Sequence, residues 1–143
     1  MIDEPAPRVV TDMEANDVAS REAGVRLVAV GAGTARAVLV VEPRHLNGHG
    51  ICHGGYLFLL ADTAFAFACN SHGVPAVASG GDIAFLRPVT AGVELVADAV
   101  ERALAGRSGL YDVTVRAGSD ADAEVVAEFR GRSRQVPGMP APG

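Results

Sequence analysis

The chain has 143 residues, a net charge of −5 and 49% hydrophobic residues, a length that fits one domain with its own core and needs no disulfide or metal to hold it. Its twelve basic residues are all arginine and lie scattered along the sequence, so no basic stretch marks a nucleic-acid partner. The lack of lysine excludes Schiff-base chemistry, a pyridoxal phosphate anchor and a P-loop lysine, and no GxSxG elbow surrounds any serine.

Residues 1–12 mix proline, acidic and polar side chains without a period and are expected as an N-terminal tail; Pro/Gly-rich 137–143 is expected as a second tail, with the domain over 13–136. MIDEPAPRVV lacks a basic segment followed by an apolar one, so no signal peptide is expected. With only Cys52 and Cys69, and no CxxC pair, the expected compartment is the cytoplasm. Thr11 to Glu22 predicts a short helix, with Asn16 or Asp17 as an alternative cap. Val25 to Val30 and Thr34 to Val41 are β-branched runs separated by a GAG turn.

The run YLFLLADTAFAFAC is shorter than the roughly 20 residues of a membrane span and is interrupted by Asp62. It predicts one buried helix, stopped at Asn70 to Gly73, apolar on nearly every side and hence wrapped by other structure. Strands follow over Ala76 to Leu86, Val93 to Ala103, Gly109 to Ala117 and Val125 to Val136. Their connections are too short for parallel crossovers, so the expected fold is α+β: one antiparallel sheet curled around one central helix.

The chemistry concentrates in HLNGHGICHGG, residues 45 to 55. His45, His49, Cys52 and His53 are all metal-ligand types, but a closed site needs more partners and only His72 is in reserve elsewhere, so no metal is expected. His45 and His49 are then solvated loop side chains, and Cys52 fills a small apolar gap. His53-Gly54-Gly55 falls where the helix starts and offers unpaired backbone N–H groups; the glycines either admit a substrate carbonyl to these donors or only permit a tight turn. Asp62 favours the first reading. A carboxylate within an apolar helix costs several kcal/mol to bury unless it is paired or used; capping a nearby amide is the structural alternative, and catalysis the functional one.

The segments NGHGICHGGYLFLLADTAFAFACNSHG, VASGGDIAFLRPVTAG, GRSGLYDVTV and FRGRSR, in this order and spacing, resemble the phenylacetate-pathway (PaaI-type) thioesterases of the hotdog superfamily from about Met13 to Val136. The resemblance implies a hotdog fold, hydrolysis of acyl-coenzyme A, and a homodimer or a dimer of dimers, that is, a homotetramer. Phenylacetyl-CoA or hydroxyphenylacetyl-CoA is the implied substrate, coenzyme A being part of it and no separate cofactor being needed. By the same resemblance Asp62 is the catalytic carboxylate, as base or nucleophile, and Thr63 is a hydroxyl assisting it. Asn47 positions the thioester or water, His53 and Gly54 orient the site and polarise the carbonyl, and Gly55 belongs to the same substrate-binding turn. Phe85 to Pro88 runs beside the pantetheine arm, with Arg87 or Arg107 meeting the phosphates. The chain departs from the pattern at Ala84, where many relatives carry Asp or Asn, and in the glycine-rich GGD at 80 to 82.

A thioester is electrophilic and its thiolate leaves readily, so one carboxylate plus oxyanion donors suffice. Two other functions remain open on this fold: an enoyl-CoA hydratase or dehydratase using Asp62 with His53, and a non-catalytic acyl-CoA sensor. Phe58, Phe65, Phe67 and Phe85 either line an aryl pocket or are plain core. Gly54 and Asp62, eight residues apart, are separated by about 12 Å along a helix. A single helix therefore cannot present both to one carbonyl, which predicts active sites shared between two chains.

Overall fold

A computed structural model describes residues 5–140. Two short helices open it, α1 (Arg8–Asn16) and α2 (Val18–Ala23), followed by β1 (Arg26–Gly31), β2 (Thr34–Val40), a 3-10 turn (Pro43–His45) and the long helix α3 (Gly54–Asn70). The remainder is β3 (Ala76–Phe85), β4 (Glu94–Ala105), β5 (Ser108–Arg116) and β6 (Val125–Gln135). All pairings are antiparallel, in one six-stranded sheet of order β1-β2-β4-β5-β6-β3. This is the hotdog arrangement, with α3 lying across the concave face.

Alternation puts one side of every central strand against α3. On β5, Tyr111, Val113 and Val115 point inward and are fully buried, while Asp112, Thr114 and Arg116 point outward. Four strand pairings carry register irregularities, at Leu27/Ala29, Ala78/Gly80, Glu101/Ala103 and Val115/Arg116; such bulges add the local twist by which a sheet curls around a helix. Gly81 and Gly131 face each other across β3 and β6. A Cβ at Gly131 would come within 2.9 Å of both the Phe65 and Phe129 rings, and one at Gly81 within 2.9 Å of Phe129. The glycine pair thus leaves room for two core aromatic rings close against the sheet. Gly80 leaves similar room on the outer face, where its Cβ would meet the Arg132 guanidinium at 3.1 Å, so the unusual GGD stretch serves packing on both faces.

The strands fall within two residues of their predicted bounds. The N-terminal region differs. Helix starts at Arg8, inside the expected tail, because Val10 is driven into the core. The helix expected over Thr11 to Glu22 is broken at Asp17, whose carboxylate accepts from the Ser20 N–H at 3.1 Å and caps α2. Residues 137–140 are exposed, as a tail would be; residues 1–4 and 141–143 lie outside the described part.

Asn70, the last residue of α3, is buried and donates to Ala66 O and Ala76 O while accepting from Ala76 N. It ties the helix end to the first residue of β3. Asn70→Leu keeps the bulk but strands the Ala76 peptide groups, so a loss on the order of 1–3 kcal/mol in urea unfolding is expected.

One expectation for α3 is revised. The stripe Gly55, Phe58, Leu59, Asp62 and Ala66 is not covered by the chain's own sheet. Next to it β3 is an edge strand ten residues long, free of lysine and proline, and Phe58, Val77, Phe85 and Leu86 are exposed along this side. An open apolar edge of this length invites pairing with another strand.

Candidate active site

The glycine-rich loop is shaped by Asn47. Its side-chain carbonyl accepts from His49 N at 2.9 Å and Ile51 N at 3.3 Å, and its backbone N–H donates to Ile51 O at 2.8 Å. Asparagine closes turns in this way because its side chain mimics a backbone carbonyl. With that oxygen occupied, the amide NH2 of Asn47 remains as a donor.

His53 caps α3: its Nδ1 accepts from Gly55 N at 2.8 Å, and its carbonyl accepts from Tyr56 N at 2.9 Å and Leu57 N at 3.3 Å. Of the four N–H groups that a helix start leaves unpaired, those of Gly55 and Tyr56 are taken in this way, and that of His53 donates to His45 O at 2.8 Å. The one left free among the described residues is that of Gly54. Gly55, expected to bind substrate, has its N–H committed to His53. Because Nδ1 is an acceptor, the proton of the neutral His53 ring sits on Nε2.

Gly54 also allows a close approach. A Cβ there would lie 2.8 Å from Cζ of Phe85, whose ring rests on the helix start while remaining 54% exposed. Asn47, Ile51, Cys52, Gly54, Phe85 and Arg87 line one cavity of about 350 Å³, with Leu57, Leu86, Pro88 and Val89 completing it. Four residues singled out in the sequence, Asn47, Gly54, Phe85 and Arg87, thus come together. Arg87 is held at the rim by Val125 O at 2.7 Å and Glu124 at 3.3 Å. Arg107 is not at this end: it sits in the β4–β5 turn, where its carbonyl accepts from Gln135 N at 2.7 Å.

Asp62 lies two helical turns beyond Gly54 on the open stripe and does not line that cavity. It is half-buried and has no hydrogen-bond or ion-pair partner among the described residues, so it caps no amide. Burial pushes its pKa up from the ordinary carboxylate value, and the nearby negative charge of Asp17 adds to the shift. A carboxylate kept unpaired and made more basic is suited to accept a proton. Thr63, expected beside it, is turned to another side of the helix. The Thr63 hydroxyl is buried, donates to Leu59 O at 2.7 Å and pairs at 2.9 Å with Ser20 Oγ, because residue 63 faces α2 and residue 62 the open side. Thr63 fastens α2 to α3.

The cysteines and other histidines have structural work. His45, expected in solvent, is fully buried: Nδ1 accepts from Glu42 N at 2.9 Å, Nε2 donates to Ala23 O at 2.7 Å, and the ring stands edge-on to Tyr56. It pins the loop to the end of α2. His49 is exposed, as expected. Cys52 is buried at the back of the cavity, and burial raises its thiol pKa, which suits a gap-filler and not a nucleophile; Cys69 is pushed up to about 12 by burial and the nearby Asp62 charge. Among the described residues no three His, Cys, Asp or Glu side chains gather as a metal-ligand set. Phe65 and Phe67 are core, whereas Phe58 and Phe85 reach the surface. Among the described residues no helix is long and apolar enough to cross a membrane.

Known proteins resemble the chain in sequence and in fold. The family model described as "Thioesterase superfamily" matches residues 49–124, from the loop through β5. The acyl-coenzyme A thioesterase PaaI of Escherichia coli (strain K12) is 43% identical over 126 residues, 88% of each chain. The structure of E. coli PaaI, from the phenylacetic acid degradation operon, superposes with a TM-score of 0.82 at 42% identity, covering 88% of this chain and 89% of that one. A mutant of the phenylacetic acid degradation protein PaaI from Thermus thermophilus superposes with a TM-score of 0.75 at 36% identity, covering 82% of this chain and 97% of that one. The free Gly54 N–H, the unpaired Asp62 and the helix and sheet around them therefore belong to a member of the thioesterase superfamily, a hotdog-fold thioesterase of the PaaI type.

Proposed function

We propose that the protein hydrolyses acyl-CoA thioesters carrying an arylacetyl group, phenylacetyl-CoA or hydroxyphenylacetyl-CoA, without a metal or other cofactor, in the cytoplasm, at sites shared between two chains of a homodimer or a dimer of dimers. The observation that carries this reading is the division of the chemistry. The free Gly54 N–H and the Asn47 amide stand at one end of α3, and the unpartnered Asp62 carboxylate stands about 12 Å further along it. Antiparallel packing of two α3 helices along their open stripes sets the start of each against Asp62 of the other. The exposed β3 edges pair in the same step.

In such a site the pantetheine arm lies in the cavity beside Phe85, with the thioester carbonyl on Gly54 N–H and the Asn47 NH2. Asp62 of the second copy takes a proton from water as the water oxygen bonds to the carbonyl carbon, and the two donors hold the oxyanion. Collapse reforms the carbonyl and breaks the C–S bond; the proton passes from Asp62 to the departing thiolate, leaving the carboxylic acid and free coenzyme A. Carbonyl polarisation and one base complete this reaction, whereas hydration of an enoyl group needs an acid and a base placed across Cα and Cβ.

A panel of acyl-CoAs assayed for free thiol in the presence of chelator tests the reading. Turnover fastest with arylacetyl-CoA is expected. Thiol release favouring straight-chain acyl groups would overturn the substrate class, and loss of activity restored by added zinc would overturn metal-free catalysis.

A further inference from the structure

Asp17 stands at the break between α1 and α2, and its carboxylate accepts from Ser20 N at 3.1 Å. The Ser20 hydroxyl in turn donates to Thr63 Oγ1 at 2.9 Å, since the Thr63 proton is given to Leu59 O at 2.7 Å. Ser20 and Thr63 are both buried. Two hydrogen bonds in series thus fix Asp17 against the turn of α3 that carries Asp62. Asp17, Ser20 and Thr63 line one recess of about 270 Å³, together with Glu14, Arg21 and Arg26.

The charge of Asp17 is not neutralised there. Arg21 sends its guanidinium to Ala15 O at 2.8 Å and Glu14 O at 3.5 Å. Among the described residues Glu14, Asp17, Arg26 and Asp62 form no ion pair. The other ionisable groups around α3 are spent elsewhere. Cys69 stays neutral, its thiol pushed up to about 12, and Asp82 on β3 is turned to Arg132 at 3.4 Å. From the sheet, Glu101 accepts from Tyr111 at 2.8 Å and pairs with His72 at 2.6 Å, at the far end of α3. In the proposed dimer the second copy brings Asn47, His53 and Gly54 to the open side of Asp62. Of the charges on its own chain, it is that of Asp17 that bears on Asp62, adding to the rise in pKa that burial causes. An N-cap needs only a side-chain oxygen, and asparagine or serine supplies one as well as aspartate. The negative charge is therefore surplus to the cap.

We propose that Asp17 is a positioning residue for the hydrolysis: its uncompensated charge, held beside α3 by the α2 cap and the Ser20–Thr63 bond, repels negative charge on Asp62 and so strengthens Asp62 as the base. The inference rests on the proposed role of Asp62 and adds what tunes it. It gives the broken helix at the start of the chain a part in the chemistry, although no residue of that helix touches the reacting atoms.

The test separates the charge of Asp17 from its cap. Asp17→Asn keeps the cap and loses the charge, so the acid limb of kcat for phenylacetyl-CoA should move to lower pH, while kcat above the limb falls only modestly because a weaker base takes the proton less readily. Asp17→Ser should behave alike. Asp17→Glu keeps the charge on a poor cap, so Tm should fall while the limb stays near the wild-type position. Added salt should draw the wild-type limb toward that of Asp17→Asn, because screening weakens the repulsion. Titration of the Asp62 carboxyl carbon by NMR, with its signal assigned by loss in Asp62→Asn, reads the same shift without turnover. An Asp62 titration and a kcat limb that both stay in place in Asp17→Asn and Asp17→Ser would overturn the inference alone, as would a limb displaced as far by Asp17→Glu as by Asp17→Asn. An Asp62 titration that moves while the kcat limb does not would overturn Asp62 as the base, and this role of Asp17 with it.

Discussion

Asp62→Asn should abolish turnover while making the protein harder to unfold. The amide keeps the size of the side chain but cannot take a proton from water, so kcat should fall by several orders of magnitude with little change in acyl-CoA affinity, as for a group that acts in the transition state. The stability gain follows from the raised pKa. A carboxylate whose folded pKa lies above its unfolded value opposes folding once pH exceeds the unfolded value, because the charge is costlier in the folded protein. At neutral pH the neutral amide removes that cost, so Tm should rise, and the gain should vanish below the unfolded carboxylate pKa. In the wild-type enzyme, kcat should fall on the acid side at a pH above the pKa of an ordinary aspartate. An Asp62→Asn protein with near-normal kcat would remove Asp62 from the chemistry.

Gly54→Ala should strike the other half of the site. Its methyl group would meet the Phe85 ring at 2.8 Å, and since the ring is exposed it can swing away without unfolding the protein. It would then leave the wall of the cavity, and the methyl group would crowd the one free N–H at the helix start. A loss in kcat on the order of 10² to 10³ is expected, the usual scale for disturbing one oxyanion donor. His53→Ala acts one step removed, by releasing Gly55 N and loosening the helix cap, and should cost less. Equal losses for the two variants would shift the carbonyl contact from Gly54 to the imidazole.

Much of this site was legible in the sequence because its parts are local. The HGG step at the start of an apolar run and an aspartate two turns into it lie on one helix, and helical spacing alone separates them. What escaped depends on contacts between distant segments. His45 looks like a loop residue until the end of α2, 22 positions away, supplies Ala23 O. Thr63 is adjacent to Asp62 in sequence, but a step of one residue turns it to a different side of the helix, toward Ser20. Arg102 and Arg130 are far apart in the sequence and meet at Asp112 only because β4, β5 and β6 lie side by side. Val10 reads as part of a tail because the surface it covers is assembled elsewhere.

Sharing of each active site between two chains is tested most directly by mixing the two inactive proteins. Asp62→Asn retains Gly54 and Asn47; Gly54→Ala retains Asp62. After subunit exchange, each mixed dimer holds one site with both variants in it and one site with an intact Gly54 from the first parent facing an intact Asp62 from the second. Activity should therefore return from two inactive preparations, approaching one working site per mixed dimer. Mixed dimers, verified by mass, that remain as inactive as their parents would contradict the shared site and require Asp62 to act within its own chain.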